Sequence, residues 1–437
     1  MKRFKSFLEI LSNASPLCPS FEYFVGEERR VLTYSETIEK IFKFPLPKAS
    51  VVGVFATSSI EVVIAILALA GKRRLVLLNP DDNPMTLEAQ IKATHVGALL
   101  GDKEYEEEFA SLLEPEYTCE DTDILFFTSG TTSKAKAVVL TEASLCSAAY
   151  NGGALLPLKK EDSLLSVLPL SHVYGFVCAL LWPLSFGAKV CLGRGLRSIF
   201  FDFEAFRPSV TTLVPQMAAF LASKKLFNPE LKLILIGAGQ CEKGIIDLIK
   251  SFGIRVSFGY GLTETSSGIA LSLDENPYEM TICPDYRVSI REDGEIVVES
   301  DTTLMKGYYD DEASTKAVLA GNKLLTGDFG RIENGYLFVT GRKKEILVFN
   351  DGSKLFLPEY EGELLKRLGR EADFCVLQNK NGNIVLYIYQ PSENIEELVK
   401  DFNKDYPRSH RIVKIVKASN KLPRTKTQKV QRYLIPL

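Results

Sequence analysis

The sequence predicts an α/β protein: a large N-terminal domain of parallel α/β sheets with a small β-subdomain, then a small α+β C-terminal domain. Three observations predict it. Apolar, β-branched runs alternate with helical patterns as far as residue 261. Near Tyr286 the texture changes to short alternating strands with turn dipeptides. At Arg342 the charge balance reverses, with 19 Lys/Arg against 12 Asp/Glu from there on and 33 against 43 before it.

The elements follow in chain order. The start, MKRFKSFLEILSNASPLCPS, is basic, but Glu9 and Asn13 break its apolar run, so it reads as a poor signal peptide. VVGVFA (51–56) reads as a buried strand, 60–70 as a helix, and RLVLLNP (74–80) as a strand ending in a turn. TLEAQIKATHV (86–96) is helical again and GALLGD returns to strand. This rhythm implies a parallel sheet covered by helices. It recurs around ILFF (124–127), VTTLVP (210–215), KLILIG (232–237) and RVSFGYG (255–261). Residues 163–188 carry no Asp, Glu, Lys or Arg and are long enough to span a bilayer. Pro169, Gly175 and Pro183 interrupt them and His172 sits near their centre, so they read as a buried element lining a pocket, not a transmembrane segment. Asp293-Gly294 and Asn334-Gly335 are hairpin turn signals between alternating strands. Beyond Gly341, FCVLQ and IVLYIYQ read as strands, with helices around 359–368 and 394–403. The expected division is a domain over 1–341 and a second over 342–437.

Composition excludes several functions. The 437 residues carry a net charge of −3, so the molecule has no overall field for a polyanion such as a nucleic acid. The eight cysteines form no CxxC pair and there are three histidines, which leaves no readable zinc cluster. Scattered cysteines suit a reducing compartment, and the expected location is cytoplasmic. The oligomeric state is not legible.

The most informative segment is 123–141, DILFFTSGTTSKAKAVVLT. An apolar strand runs into Thr128, Ser129, Gly130, Thr131 and Thr132, then Lys136 and a second apolar run. Small residues let successive backbone N–H groups face one concavity, hydroxyls add donors and lysines add charge, which is the physics of a phosphate cradle. Gly237-Ala238-Gly239 after KLILIG imitates a dinucleotide fingerprint, but Glu242 stands where the third glycine belongs, which argues against a nicotinamide site.

The order of motifs is specific. TSGTTSKAKAVVLT resembles the TSGTTGxPKGV signature of the adenylate-forming superfamily, which includes acyl-CoA synthetases, luciferases and peptide-synthetase adenylation domains. LTYSE (32–36), LPLSHVYGF (168–176), YGLTE (260–264), TGD (326–328), GRKKEIL (341–347) and PRTKTQKVQR (423–432) resemble further motifs in the family's order. The resemblance implies that a carboxylic acid is activated by ATP as acyl-AMP and passed to coenzyme A, with Mg2+ as cofactor. It implies that the loop with Lys136 holds the β- and γ-phosphates, with Thr263 on the α-phosphate and Glu264 on the metal. It places Tyr260 and Gly261 at adenine, and Gly237 and Ala238 along one adenine face and the acyl pocket. Asp328 is implied on the ribose hydroxyls, Arg342 on ribose or phosphate, and His172 at the acyl pocket near the thiol entry. Lys343 becomes the hinge of a mobile C-terminal lid, and Lys429 bridges the acid and the α-phosphate.

There are departures. Ser133, Ala135 and Ala137 replace the usual Gly, Pro and Gly, Gln428 replaces a Gly, and Phe258 stands where relatives often have Asn, Gln or Glu. The stretch before the phosphate loop is also short. The absence of an acid in 163–188 argues against an amino-acid substrate, whose buried ammonium would be unpaired. The expected substrate is therefore a neutral-bodied acid, aliphatic or aryl. Phe176, Trp182 and Phe186 favour a fatty or other apolar chain. Three alternatives stand beside it: transfer to a carrier-protein phosphopantetheine, a succinylbenzoate-like aryl-acid CoA ligase, and a non-catalytic nucleotide-binding relative.

Overall fold

Burial on both faces of the strands Val51–Phe55 and Arg74–Leu78 sets the first layer. The computed structural model describes residues 2–128, 136–239, 241, 243–273, 276–349, 353–369, 372–424 and 430–435. Six strands form one sheet in the order Gly307–Tyr308, Ala137–Leu140, Ile124–Phe127, Arg74–Leu78, Val51–Phe55, Ala98–Leu100. The last four run parallel, as the strand–helix–strand rhythm predicts. Ala137–Leu140 returns antiparallel to Ile124–Phe127, and Gly307–Tyr308 adds antiparallel to it. Ser59 caps the helix Ile60–Leu69 by accepting from Val62 N; nine of its ten residues are buried, and it packs on Val51–Phe55, Arg74–Leu78 and the helix Tyr34–Lys43.

The second sheet is larger. Leu233–Ile236, Val210–Leu213, Ser163–Ser166 and Lys189–Leu192 lie parallel, and the hairpin Pro19–Val25/Glu28–Thr33 extends the far edge. On the other side stands Arg255–Leu262. Its first half pairs parallel with Leu233–Ile236 and its second half antiparallel with Ser267–Ser272. The expected β-subdomain is therefore not a detached unit. Its hairpins continue the same sheet order through Met280–Ile282, Tyr336–Arg342, Lys323–Glu333, Glu295–Glu299 and Arg287–Ile290. The physical reason is the length of Arg255–Leu262, with a register shift after Tyr260 that lets one strand serve both ladders. Both hairpin turns form as expected: Gly294 has φ 91°, and Asn334 and Gly335 have φ 53° and 83°, the positive pair of a type I′ turn.

Residues 163–188 fold as the strand Ser163–Ser166 and a short broken helical stretch, Val173–Phe176 through Trp182–Ser185. Phe176 sits between Phe7 and Phe126, with ring centroids 5.7 and 5.5 Å away, and Trp182 Nε1 donates to Leu156 O. Among the described residues no helix is long and apolar enough to cross a membrane.

After Arg342 a two-stranded ribbon, Ile346–Val348 with Lys354–Phe356, leads into the helix Leu357–Leu368. The strands Asp373–Gln378, Ile384–Tyr389 and Ile412–Ala418 form a separate sheet, crossed by the helix Ile395–Phe402. The third of these strands was not foreseen. Phe349, Tyr360, Leu364, Val376, Leu386 and Phe402 build a core in which, among the described residues, none before Leu347 takes part.

Candidate functional site

The phosphate-loop hairpin is tied at its base. Thr128 N donates to Lys136 O at 2.9 Å, and Lys136 N to Thr128 Oγ1 at 3.3 Å. Ser129, Gly130, Thr131 and Thr132 lie outside the described residues, as do Lys429 and the Gln428 departure. Lys136 Nζ rests 4.4 Å from the centre of the Tyr308 ring. Tyr308 reaches this place because Gly307–Tyr308 pairs with Val139 and Val138, the strand that leaves the loop.

Glu264 sits in the turn Thr263–Thr265 at the end of Arg255–Leu262. The turn is held from every side. Thr265 Oγ1 donates to Ser267 O, Tyr286 OH to Thr265 O, and Ser266 Oγ to Thr303 O, all at 2.8 Å. Ser266 Oγ also meets Ser144 Oγ at 3.0 Å, and Met305 N donates to Glu264 O at 2.9 Å. Gly261 is required here, since a Cβ would lie 1.9 Å from Ser267 O. The Glu264 carboxylate accepts from Tyr308 OH at 2.7 Å through Oε1. Among the described residues no group of three His, Cys, Asp or Glu could hold a metal ion. A lone carboxylate with one oxygen tied suits Mg2+, which keeps waters and takes phosphate oxygens rather than a protein cage.

Asp328 is 2% exposed. It stands opposite Arg342 in the strand pairing, and Arg342 Nε approaches Oδ1 at 2.9 Å. Tyr260 OH donates to Oδ2 at 2.9 Å. Burial pushes the carboxyl's pKa above its usual range; Arg342 and the Tyr260 hydroxyl pull it back. Oδ1 lies within ion-pair reach of Arg342 but has no aligned hydrogen-bond donor, so it can accept from a ligand hydroxyl. Tyr260 is buried and its hydroxyl is committed to Asp328.

Next to Asp328, Gly327 N donates to Glu295 Oε1 at 3.0 Å, and Lys343 Nζ reaches Oε2 of the same carboxylate at 3.2 Å. Glu295 is 3% exposed and ties the expected ribose loop to the expected hinge.

His172 precedes the helix Val173–Phe176, and burial lowers its pKa while the Asp82 charge opposes that shift. Two residues on, Tyr174 OH donates to Leu235 O at 2.8 Å and Leu213 O at 3.3 Å, across the ends of two parallel strands. Its ring covers Gly237 so closely that a Cβ there would lie 2.7 Å from Cζ. Ala238 follows in the left-handed region at φ 62°.

The structure thus joins Lys136 to Glu264 through Tyr308, Tyr260 to Arg342 through Asp328, and Gly237 to the His172 segment through Tyr174. Sequence reasoning missed Tyr308, Glu295 and Tyr174. Tyr174 lies inside a motif that was read, two residues after His172. Nothing in GYY (307–309) or DGEI (293–296) marks the other two.

Comparison with known proteins bears on this arrangement. The model of a family described as AMP-binding enzyme matches residues 43–309. The 2-succinylbenzoate–CoA ligase of Bacillus licheniformis is 27% identical over 91% of this chain and 91% of its own length. The oxalate–CoA ligase of Arabidopsis thaliana is 29% identical over 72% of this chain and 67% of its own. The O-succinylbenzoate coenzyme A synthetase of Bacillus subtilis in complex with AMP superposes with a TM-score of 0.83 at 22% identity, covering 99% and 98% of the two chains. Its complex with ATP and magnesium gives 0.81 at 21% identity, covering 99% of each chain.

Proposed function

The chain belongs to the AMP-binding enzyme family, and from that premise we propose that it is a CoA ligase for a compact carboxylic acid, aryl rather than long-chain. As an adenylate-forming acid–thiol ligase it works with ATP, Mg2+ and coenzyme A.

The observation that carries the substrate reading is Tyr174. Its ring fills the space over Gly237, and its hydroxyl bridges Leu213 O and Leu235 O. The ends of these parallel strands are where α/β sheets take ligands, so a side chain there shortens the space for an acid. Two of the aromatic residues that favoured an acyl chain give it no support once placed. Phe176 is fully buried and Trp182 is 3% exposed; both are packed into the core. The names of the related succinylbenzoate and oxalate ligases agree with a compact acid and offer no support for a fatty one. They equally favour coenzyme A over a carrier protein.

In the first half-reaction the acid's carboxylate attacks the α-phosphorus of ATP and pyrophosphate leaves. Negative charge gathers there, and the chain's task is to position and neutralise it. The loop from Thr128 with Lys136 would take the β- and γ-phosphates, and Thr263 the α-phosphate. Asp328, steadied by Tyr260 and Arg342, would accept the ribose hydroxyls. Glu264 would hold magnesium, which when bound neutralises phosphate charge. Lys429 would meet the acid and the α-phosphate, and rotation at Lys343 of the 342–437 domain would expose the adenylate to the thiol. In the second half-reaction the thiol attacks the acyl carbonyl and AMP leaves, with His172 at the entry.

Pyrophosphate release from a panel of benzoates, succinylbenzoate, oxalate and long-chain fatty acids, with and without coenzyme A, tests this. Turnover is expected with an aryl or short acid. Preference for a long-chain acid would overturn the substrate reading, and absence of ATP–pyrophosphate exchange with every acid would favour a non-catalytic relative.

A further inference from the structure

Tyr308 touches a cation with its ring and an anion with its hydroxyl. Lys136 Nζ sits over its ring at 4.4 Å, and Glu264 Oε1 takes its hydroxyl at 2.7 Å. Both charges belong to flexible side chains, and a lysine's four-carbon stem lets its ammonium seek any carboxylate in reach. Yet no ion pair joins Lys136 to Glu264 among the described residues.

The tyrosine is itself firmly placed. Its N–H donates to Thr315 Oγ1 at 2.8 Å. On either side of it, Lys306 N donates to Val139 O at 2.9 Å and Tyr309 N to Ala137 O at 2.8 Å. Lys306 Nζ pairs with Asp123 at 2.8 Å, at the foot of the strand that enters the loop. Met305 N holds Glu264 O. The segment 305–309 therefore fastens the base of the phosphate loop to the Glu264 turn by backbone bonds, and Tyr308 is the side chain it presents between them.

We propose that Tyr308 is a positioning residue that keeps Lys136 and Glu264 apart and aims both at a magnesium–nucleoside triphosphate. The aromatic face parks the ammonium without neutralising it, so a triphosphate meets a free cation. The hydroxyl occupies Oε1 and orients the carboxylate, leaving Oε2 for a hard cation. A second carboxylate or a basic residue in place of Tyr308 would consume one of these charges. The inference rests on the ligase reading, because that reading supplies the ligand.

Equilibrium titration calorimetry of ATP, in EDTA and in excess Mg2+, separates the two jobs of the side chain without using turnover. In wild-type protein magnesium should raise ATP affinity. Tyr308→Phe keeps the ring, so its metal-free affinity should stay within about twofold of wild type, while the gain from magnesium falls about tenfold, the scale of one hydrogen bond to a charged group. Tyr308→Leu frees Lys136 to pair with Glu264, and metal-free affinity should fall severalfold. Adding Glu264→Gln to Tyr308→Leu should restore that metal-free affinity, which a merely misfolded loop would not do. The inference is overturned if Tyr308→Phe keeps the full magnesium gain, or if the double variant binds metal-free ATP no better than Tyr308→Leu. Wild-type protein that binds no ATP in either buffer would sink the ligase reading, and this inference with it.

Discussion

Replacing Tyr260 by Phe removes one hydroxyl from a site where little water can substitute for it. That hydroxyl donates to Asp328 Oδ2 at 2.9 Å, and Asp328 is 2% exposed. A hydrogen bond to a charged group contributes about 1.5–3 kcal/mol, and its loss inside the protein leaves the oxygen bare. The sign of the pH dependence follows from the carboxyl's raised pKa, which burial causes. A carboxyl that holds its proton more tightly when folded weakens the folded state as pH rises above the ordinary carboxylate range. Below that range Asp328 is protonated in both states and the effect is absent. The Tyr260 hydroxyl is one of the groups that pull this pKa back, so without it the folded pKa climbs further. The expected destabilisation by Tyr260→Phe is therefore smaller at pH 5 than at pH 8, where it reaches about 1.5–3 kcal/mol. Urea denaturation of the nucleotide-free protein at pH 5, 6, 7 and 8 measures it. In an Asp328→Asn background the growth with pH should vanish. An equal cost at pH 5 and pH 8, or a slope that survives in Asp328→Asn, would refute the reasoning.

Three further outcomes are expected. Tyr174→Ala should raise kcat/KM for longer acids relative to short ones, because it opens the space over Gly237; competition assays give the ratio free of any overall loss, and an unchanged ratio counts against a compact pocket. Gly261→Ala should cost about 3 kcal/mol or more by overpacking, since its Cβ would lie 1.9 Å from a backbone oxygen; an unaltered urea midpoint would contradict this. Lys343→Pro, which locks φ, should slow thioester formation from supplied acyl-adenylate more than adenylation, whereas Lys343→Ala, which removes the ion pairs to Glu295 and Asp293 but leaves φ free, should not; equal loss of both half-reactions in the proline variant argues against a hinge.

The parallel strands were legible because burial on both faces writes continuous β-branched runs, as in Val51–Phe55 and Leu233–Ile236. The hairpins at Gly294 and Gly335 were legible because positive φ selects turn dipeptides. Strand order was not. Nothing local to RVSFGYGL announces that one strand will close a parallel sheet at one end and start an antiparallel ladder at the other. Ile412–Ala418 was missed because exposed lysines interrupt its alternation at an edge of its sheet. Residues 163–188 show the limit of composition. Their apolarity was real, but helix packing against Phe7 and Phe126 consumed it, so it says little about a substrate.

The same limit explains which site residues could be read. Lys136, Glu264, Asp328 and Arg342 stand in motifs whose order along the chain is specific, so each could be named before any geometry was known. Tyr308 and Glu295 act at one remove, and their surroundings decide their chemistry. Tyr308 matters because a two-residue strand lands beside Val138 and Val139, and Glu295 because its buried carboxylate faces Gly327 N and Lys343 Nζ together. A tyrosine that met neither charge would be an ordinary half-buried ring, and a glutamate after a hairpin turn is ordinarily solvated. Direct ligand contacts need particular residue types at particular spacings and leave a pattern in the sequence. The residues that hold those contacts apart or together need only the right neighbour in space, which the chain supplies once it has folded.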